Sequence, residues 1–113
     1  MYRLYHNNRC SKSRDCLKLL ESHKVNFEIF EYLKNKIDKK HMKELVFGLV
    51  DPLESLIRTN EIDFKENKFD NINNKEKVID FLSKFPKCIQ RPIFFDGKKY
   101  YICRPPEKVL DYI

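Results

Sequence analysis

The chain has 113 residues, the length of a single domain. It carries 23 Lys and Arg residues against 17 Asp and Glu residues, a formal net charge of +6. No apolar run approaches the roughly 20 residues of a membrane-spanning helix, and the basic residues are spread out, without the aromatic–basic signature of an RNA-binding domain. We therefore expect no membrane and no nucleic-acid partner, whereas a small anionic substrate suits the positive charge.

The redox state of the four cysteines depends on the cellular compartment of the protein. The N-terminus enters a strand-like segment directly, without the apolar region of a signal peptide. We expect a cytoplasmic protein with reduced thiols rather than a disulfide framework. The cysteines and histidines lack zinc-like spacing, so we expect no metal. At this size we expect a monomer.

The first third of the chain predicts a strand, a helix and a second strand. "YRLY" (2–5) alternates as a short strand, and "SKSRDCLKLLESHK" (11–24) has an apolar stripe at helical spacing, with Ser11 or Ser13 as cap. "VNFEIFEYL" (25–33) alternates with period two. Strand, helix and strand within about 30 residues form a βαβ unit, which predicts that the two strands are parallel.

Residues 34–86 predict a helical insertion. Its helices are expected in three segments with start or stop residues: 38–50, opened by Asp38 and closing near Gly48; 51–58, with Asp51 as N-cap and Pro52 in the first position; and 75–85, stopped by Pro86. The polar stretch 60–74 between them predicts mostly loop.

The C-terminal part predicts a hairpin and a closing helix. In "RPIFFDGKKYYICR" (91–104), Asp96-Gly97 between two apolar runs indicates a type I′ turn. "PPEKVLDYI" (105–113) has its prolines at the start of a final helix. Together the elements predict the α/β class: a single thioredoxin-like domain over 1–113, with a mixed four-stranded sheet, flanking helices and the insertion at about 34–86.

Cys10 is the candidate reactive residue. It lies in "YHNNRCSKSRDC" (5–16), where the first strand gives way to a helix. The positive end of the helix dipole, Arg9, Arg14 and His6 would each favour the thiolate form. The free N–H groups at a helix start also bind anions, so nucleophile and anion pocket would coincide. The alternatives are an unreactive loop thiol and a His6 that only caps the strand end.

Four patterns in order resemble the glutaredoxin-coupled arsenate reductase family: "YHNNRCSKSR", "LIR" at Arg58, "RPI" at Arg91 and "CRPPEKVLD" at Arg104. The resemblance spans the chain and implies a thioredoxin-like fold with a helical insertion. It also implies a cis bond between Arg91 and Pro92.

The same resemblance implies roles for individual residues. Cys10 would attack arsenate or a related oxyanion, assisted by His6, and the oxyanion would be bound by five residues: Ser13, Arg14, Arg58, Arg91 and Arg104. Glutathione, a co-substrate rather than a bound cofactor, would attack the adduct. Glutaredoxin would reduce the resulting mixed disulfide, and arsenite would leave.

Two alternatives stay open. One is a glutaredoxin-like thiol oxidoreductase without arsenate activity, and Asn8, where the family usually has proline, could loosen the loop before Cys10. The other is a regulator similar to Spx, which binds RNA polymerase and switches through a C-x-x-C disulfide; here Ser13 occupies the second position of that motif. Of the other cysteines, Cys16 is expected in the core, Cys88 to be incidental and Cys103 to face away from Arg104.

Overall fold

A computed structural model describes residues 1–113. The four strands are β1 (Tyr2–Tyr5), β2 (Phe27–Phe30), β3 (Ile93–Phe95) and β4 (Tyr100–Ile102), and they form one sheet in the order β2-β1-β3-β4. β1 runs parallel to β2 and antiparallel to β3, and β3 is antiparallel to β4. The predicted βαβ unit, the hairpin and the mixed four-stranded sheet are therefore confirmed.

The α-helices are α1 (Ser11–Ser22), α2 (Lys39–Gly48), α3 (Ile62–Glu66) and α4 (Lys75–Lys84). Three short 3-10 helices cover Leu53–Leu56, Pro86–Cys88 and Pro106–Asp111. Asp38 caps α2 as predicted, because its carboxylate accepts a hydrogen bond from the His41 N–H at 2.7 Å. None of the helices has the length and apolar character to cross a membrane.

The sheet carries a hydrophobic cluster on each face, because successive side chains of a strand point to opposite sides. Leu4 and its cross-strand partner Phe94 pack with α1 and the C-terminal 3-10 helix. Tyr5 points the other way, into a larger cluster that includes buried side chains of α2 and α4. The helical insertion thus covers one face, and α1 covers the other.

Two predicted helix starts are wrong, for the same reason. Neither Ser11 nor Ser13 caps α1; Cys10 is its N-cap residue, without a side-chain cap, and Ser13 is buried and bonded to His6. Asp51 likewise caps no helix, since its carboxylate accepts the Ile102 N–H at 2.8 Å and pairs with Lys108 at 3.7 Å. In both places a contact to a residue outside the helix replaced the local capping bond.

Four further local predictions need correction. The segment after Pro52 and the closing segment form 3-10 turns rather than α-helices, and α3 lies in the stretch predicted as loop. The hairpin turn is not type I′, which needs positive φ at both central residues. Its central residues are Gly97 and Lys98, between the Asp96–Lys99 backbone pair, and only Gly97 has positive φ, +104°. The Arg91–Pro92 bond is cis, as expected, and so is Arg104–Pro105.

Candidate active site

Cys10 lies between β1 and the first turn of α1. Its N–H donates to the Asn7 carbonyl at 3.0 Å, and its own carbonyl accepts the Arg14 N–H at 3.0 Å, the first bond of the helix. Its fractional exposure is 9%. The thiol therefore sits in a largely dry position at a helix N-terminus, where free N–H groups favour negative charge.

Two arginines from the C-terminal half surround this thiol. The Nη1 atom of Arg104 lies 3.9 Å from the Cys10 Sγ atom. Burial raises the pKa of Cys10, but the backbone N–H of Ser13 and the guanidinium groups of Arg91 and Arg104 outweigh burial and lower the pKa to about 7. A substantial fraction of Cys10 is therefore the nucleophilic thiolate at neutral pH.

The predicted arginines are held together by a small set of polar contacts. Arg104 Nη1 donates to the Arg91 carbonyl at 2.9 Å. Arg58 donates to the Gln90 side-chain oxygen at 2.9 Å and pairs with Glu61 at 3.2 Å, and the same Glu61 oxygen lies 3.9 Å from Arg91 Nη1. Arg58, Gln90 and Arg104 share the lining of a cavity of about 210 Å³. Arg91 and Arg104 thus lie beside the thiol, Arg58 lies next to them, and a single carboxylate, that of Glu61, bridges Arg58 and Arg91.

His6 contacts Ser13, the residue whose backbone N–H bonds the Cys10 thiol. The His6 ring is 3% exposed, and its Nδ1 lies 2.6 Å from the Ser13 hydroxyl oxygen, which also accepts the Asn7 N–H at 3.1 Å. The ring Nε2 faces the Asn8 side-chain oxygen at 3.4 Å. His6 is thus hydrogen-bonded to the first turn of α1, and Ser13 reaches the Cys10 thiol by its backbone N–H rather than its hydroxyl.

The loop before Cys10 is braced by hydrogen bonds of its own. Arg14 Nη1 donates to the Asn8 carbonyl at 2.9 Å, and the Arg9 N–H donates to the Asn7 side chain at 3.0 Å. Arg14 therefore secures the loop from an exposed position. These bonds, with that of Asn8 to His6, restrain a segment that has no proline.

With this geometry in place, the comparisons identify the family. The model of the ArsC family matches residues 5–112. The chain belongs to the ArsC family. It is 36% identical over 113 residues to the uncharacterized protein YfgD of Escherichia coli K12, covering 98% of this chain and 95% of that protein. It is 32% identical over 112 residues to the arsenate reductase of Haemophilus influenzae, covering 97% of each.

The solved structures agree with this assignment to the ArsC family. The arsenate reductase from Vibrio cholerae matches with a TM-score of 0.88 at 31% identity, covering 99% of this chain and 97% of that one. The resemblance and the thioredoxin-like fold class proposed from the sequence are thus confirmed.

Three residues at this ArsC site have no sequence prediction: Tyr32, Glu61 and Gln90. Glu61 lies three residues after Arg58, a spacing at which opposite charges can pair, and that was its only local signal. Gln90 directly precedes Arg91, and its side-chain oxygen also accepts the Arg91 N–H at 3.2 Å. Tyr32 lies two residues after β2, and within the alternating stretch 25–33 of the sequence it carries no functional signal.

The other three cysteines are fully buried. Cys16, on α1, lies in the core as predicted. Burial raises the pKa of Cys88 to about 11. Contact with Cys16, followed by burial, raises the pKa of Cys103, which faces the core on the α1 side of the sheet. The pKa of Cys10 is thus lowered, whereas the pKa values of Cys88 and Cys103 are raised.

The lowered pKa of Cys10 and the burial of the other cysteines predict that alkylation is selective for Cys10 and depends on pH. We expect the rate of iodoacetamide modification of Cys10 to rise with pH through an inflection near 7, because only the thiolate reacts. In Arg91→Gln the inflection should move to higher pH, toward the roughly 8.5 of a free thiol, since one stabilising charge is lost. Mass spectrometry of the modified peptide measures the rate. An unchanged inflection in the variant would contradict the electrostatic role of Arg91.

Proposed function

We propose that this ArsC protein is an arsenate reductase that draws electrons from glutathione and glutaredoxin. The observation that carries the proposal is the Cys10 thiol, with its pKa lowered to about 7, in contact with Arg104 and stabilised as thiolate by Arg91. A nucleophile next to guanidinium groups suits a tetrahedral oxyanion, because planar N–H forks bind pairs of oxyanion oxygens. Arsenate reductases among its relatives support the choice of arsenate.

In the first step, the Cys10 thiolate attacks the arsenic atom and forms a sulfur–arsenic bond. One arsenate oxygen takes up a proton and leaves as water. Arg58, Arg91 and Arg104 offset the charge of the other oxygens, which is greatest as the bond forms. Glu61 holds two of these guanidinium groups in the resting protein.

In the second step, glutathione thiolate attacks the Cys10 sulfur atom. The sulfur–arsenic bond breaks, arsenic keeps its electron pair, and the reduced arsenic leaves as arsenite. Cys10 is then in a mixed disulfide with glutathione. Glutaredoxin thiolate removes the glutathionyl group and restores Cys10. Overall, two thiols become one disulfide, and arsenate becomes arsenite and water.

The test is arsenate-dependent NADPH oxidation in the presence of glutathione, glutaredoxin and glutathione reductase. We expect steady turnover that requires each thiol component, with arsenite as product. Omitting glutaredoxin should stop turnover after the mixed disulfide has formed, and mass spectrometry would find Cys10 heavier by one glutathionyl group. A folded protein that produces no arsenite would contradict the proposal. Deglutathionylation of a model disulfide by that protein would then favour the thiol oxidoreductase without arsenate activity.

A further inference from the structure

Two buried polar atoms in the protein have no hydrogen-bond partner: the Tyr32 hydroxyl and the Nε atom of Arg91. Tyr32 is 1% exposed, and the Arg91 side chain is 14% exposed. Buried polar groups are nearly always hydrogen-bonded, and leaving one unsatisfied costs free energy. The Tyr32 O–H and the Arg91 Nε–H are therefore two donors that no other protein group uses and that a ligand oxygen could accept from.

The topology brings Tyr32 to the active site. β1 and β2 are parallel, so their C-terminal ends meet at one edge of the sheet, and the His6 N–H donates to the Phe30 carbonyl at 2.9 Å. Tyr32 follows Phe30 by two residues and turns into the core cluster that covers the insertion side of the sheet. The loop carrying Cys10 and the turn carrying Tyr32 are therefore neighbours.

The electrostatics agree with this placement. Burial raises the pKa of Tyr32 to about 12, the charge of Cys10 adds to this rise, and the charges of Arg91 and Arg58, with the close approach of the Arg91 side chain to the hydroxyl, lower the pKa. The hydroxyl is thus protonated at neutral pH and available as a donor. The Tyr32 hydroxyl therefore lies within the electrostatic influence of the Cys10 thiol, Arg91 and Arg58.

We propose that Tyr32 is a catalytic residue whose buried hydroxyl donates a hydrogen bond to an oxygen of the oxyanion held at Cys10 and Arg91. The proposal rests on the proposed function for the class of substrate. An oxyanion oxygen can accept from several donors, so one ligand would satisfy both the Tyr32 O–H and the Arg91 Nε–H. The bond strengthens as Cys10 attacks, because negative charge then builds up on the arsenate oxygens that stay bound.

The test compares Tyr32→Phe with Tyr5→Phe. Tyr32→Phe removes only the unpartnered hydroxyl, so we expect kcat/KM for arsenate to fall about 10- to 100-fold, the loss of one hydrogen bond to a charged group. Its Tm should not fall, since no bond of the resting protein is lost. Tyr5 is the matched control: it is equally buried in the same cluster, but its hydroxyl bonds His41. Tyr5→Phe should lower Tm and leave kcat/KM within about twofold.

A second readout separates this proposal from the proposed function. Arsenate and phosphate should each protect Cys10 from iodoacetamide, and protection should need a higher anion concentration in Tyr32→Phe. That result supports Tyr32 even if wild type forms no arsenite, in which case only the proposed function fails. Wild-type turnover with unchanged kcat/KM and protection in Tyr32→Phe would overturn the role of Tyr32 alone. A drop in Tm with the activity loss, or no protection of the wild type by either anion, would overturn it as well.

Discussion

Replacing Cys10 by serine is expected to reduce arsenate turnover to background, a loss of at least about a thousandfold. A serine hydroxyl is not ionised at neutral pH, whereas the Cys10 pKa is about 7. The serine variant also has no sulfur atom to form the bond to arsenic or the mixed disulfide with glutathione. Arsenate-dependent NADPH oxidation, with circular dichroism to verify folding, measures the effect.

Cys16→Ala is the control for this experiment. Cys16 lies on the same helix but is fully buried against the sheet, among Leu4, Phe94 and Cys103. Its removal should cost some stability through the lost packing and leave turnover within about twofold. A Cys10→Ser variant that keeps wild-type turnover would show that another group is the nucleophile.

Replacing Arg104 by lysine is expected to lower kcat/KM for arsenate about a hundredfold, the effect of removing one well-placed donor to a developing oxyanion. Lysine keeps the charge but lacks the planar fork. In the native protein Arg104 reaches the Cys10 sulfur and the Arg91 carbonyl with one nitrogen, which leaves further N–H groups for substrate. Lysine cannot make all these contacts, so both the Cys10 thiolate and the bound oxyanion would be less stabilised.

Arg3→Lys provides the comparison for Arg104→Lys. Arg3 lies on β1 and pairs with Glu28 of β2 at 3.2 Å, without a contact to Cys10 or to the pocket arginines. We expect its kcat/KM to stay within about twofold, because a partly exposed ion pair contributes little. Equal losses in the two variants would mean that overall charge, rather than the position of Arg104, governs activity.

Local patterns in the sequence predicted the elements that carry the site. Alternation in "YRLY" and the apolar stripe of residues 11–24 predicted a strand and a helix, and the structure places Cys10 as the N-cap residue of that helix. A βαβ unit can be predicted in this way because hydrophobic periodicity reports which face of each element is buried. The importance of Arg58, Arg91 and Arg104 came from the family resemblance, since nothing local separates them from the other arginines.

Contacts between distant segments decided what local patterns missed. Asp51 has the sequence of a helix cap, yet it bonds the backbone of β4 fifty-one residues away. The Ser13 hydroxyl likewise hydrogen-bonds the His6 ring, seven residues away, instead of capping α1. Asp51 and Ser13 hydrogen-bond to buried groups instead of to the N–H groups of a nearby helix start. This is favourable because a buried polar group without a partner costs more free energy than an exposed one.

The sequence alone predicted the four strands, the mixed sheet and the position of Cys10 near the start of the first helix, because hydrophobic periodicity is a local property. Only the tertiary structure decided how Glu61 bridges Arg58 and Arg91, how His6 contacts Ser13 in the first turn of α1, and why Tyr32 has an unpartnered hydroxyl. These arrangements join β1, β2, the helical insertion and the loop before β3. Their geometry depends on how two packed faces meet at one edge of the sheet, which no single segment encodes.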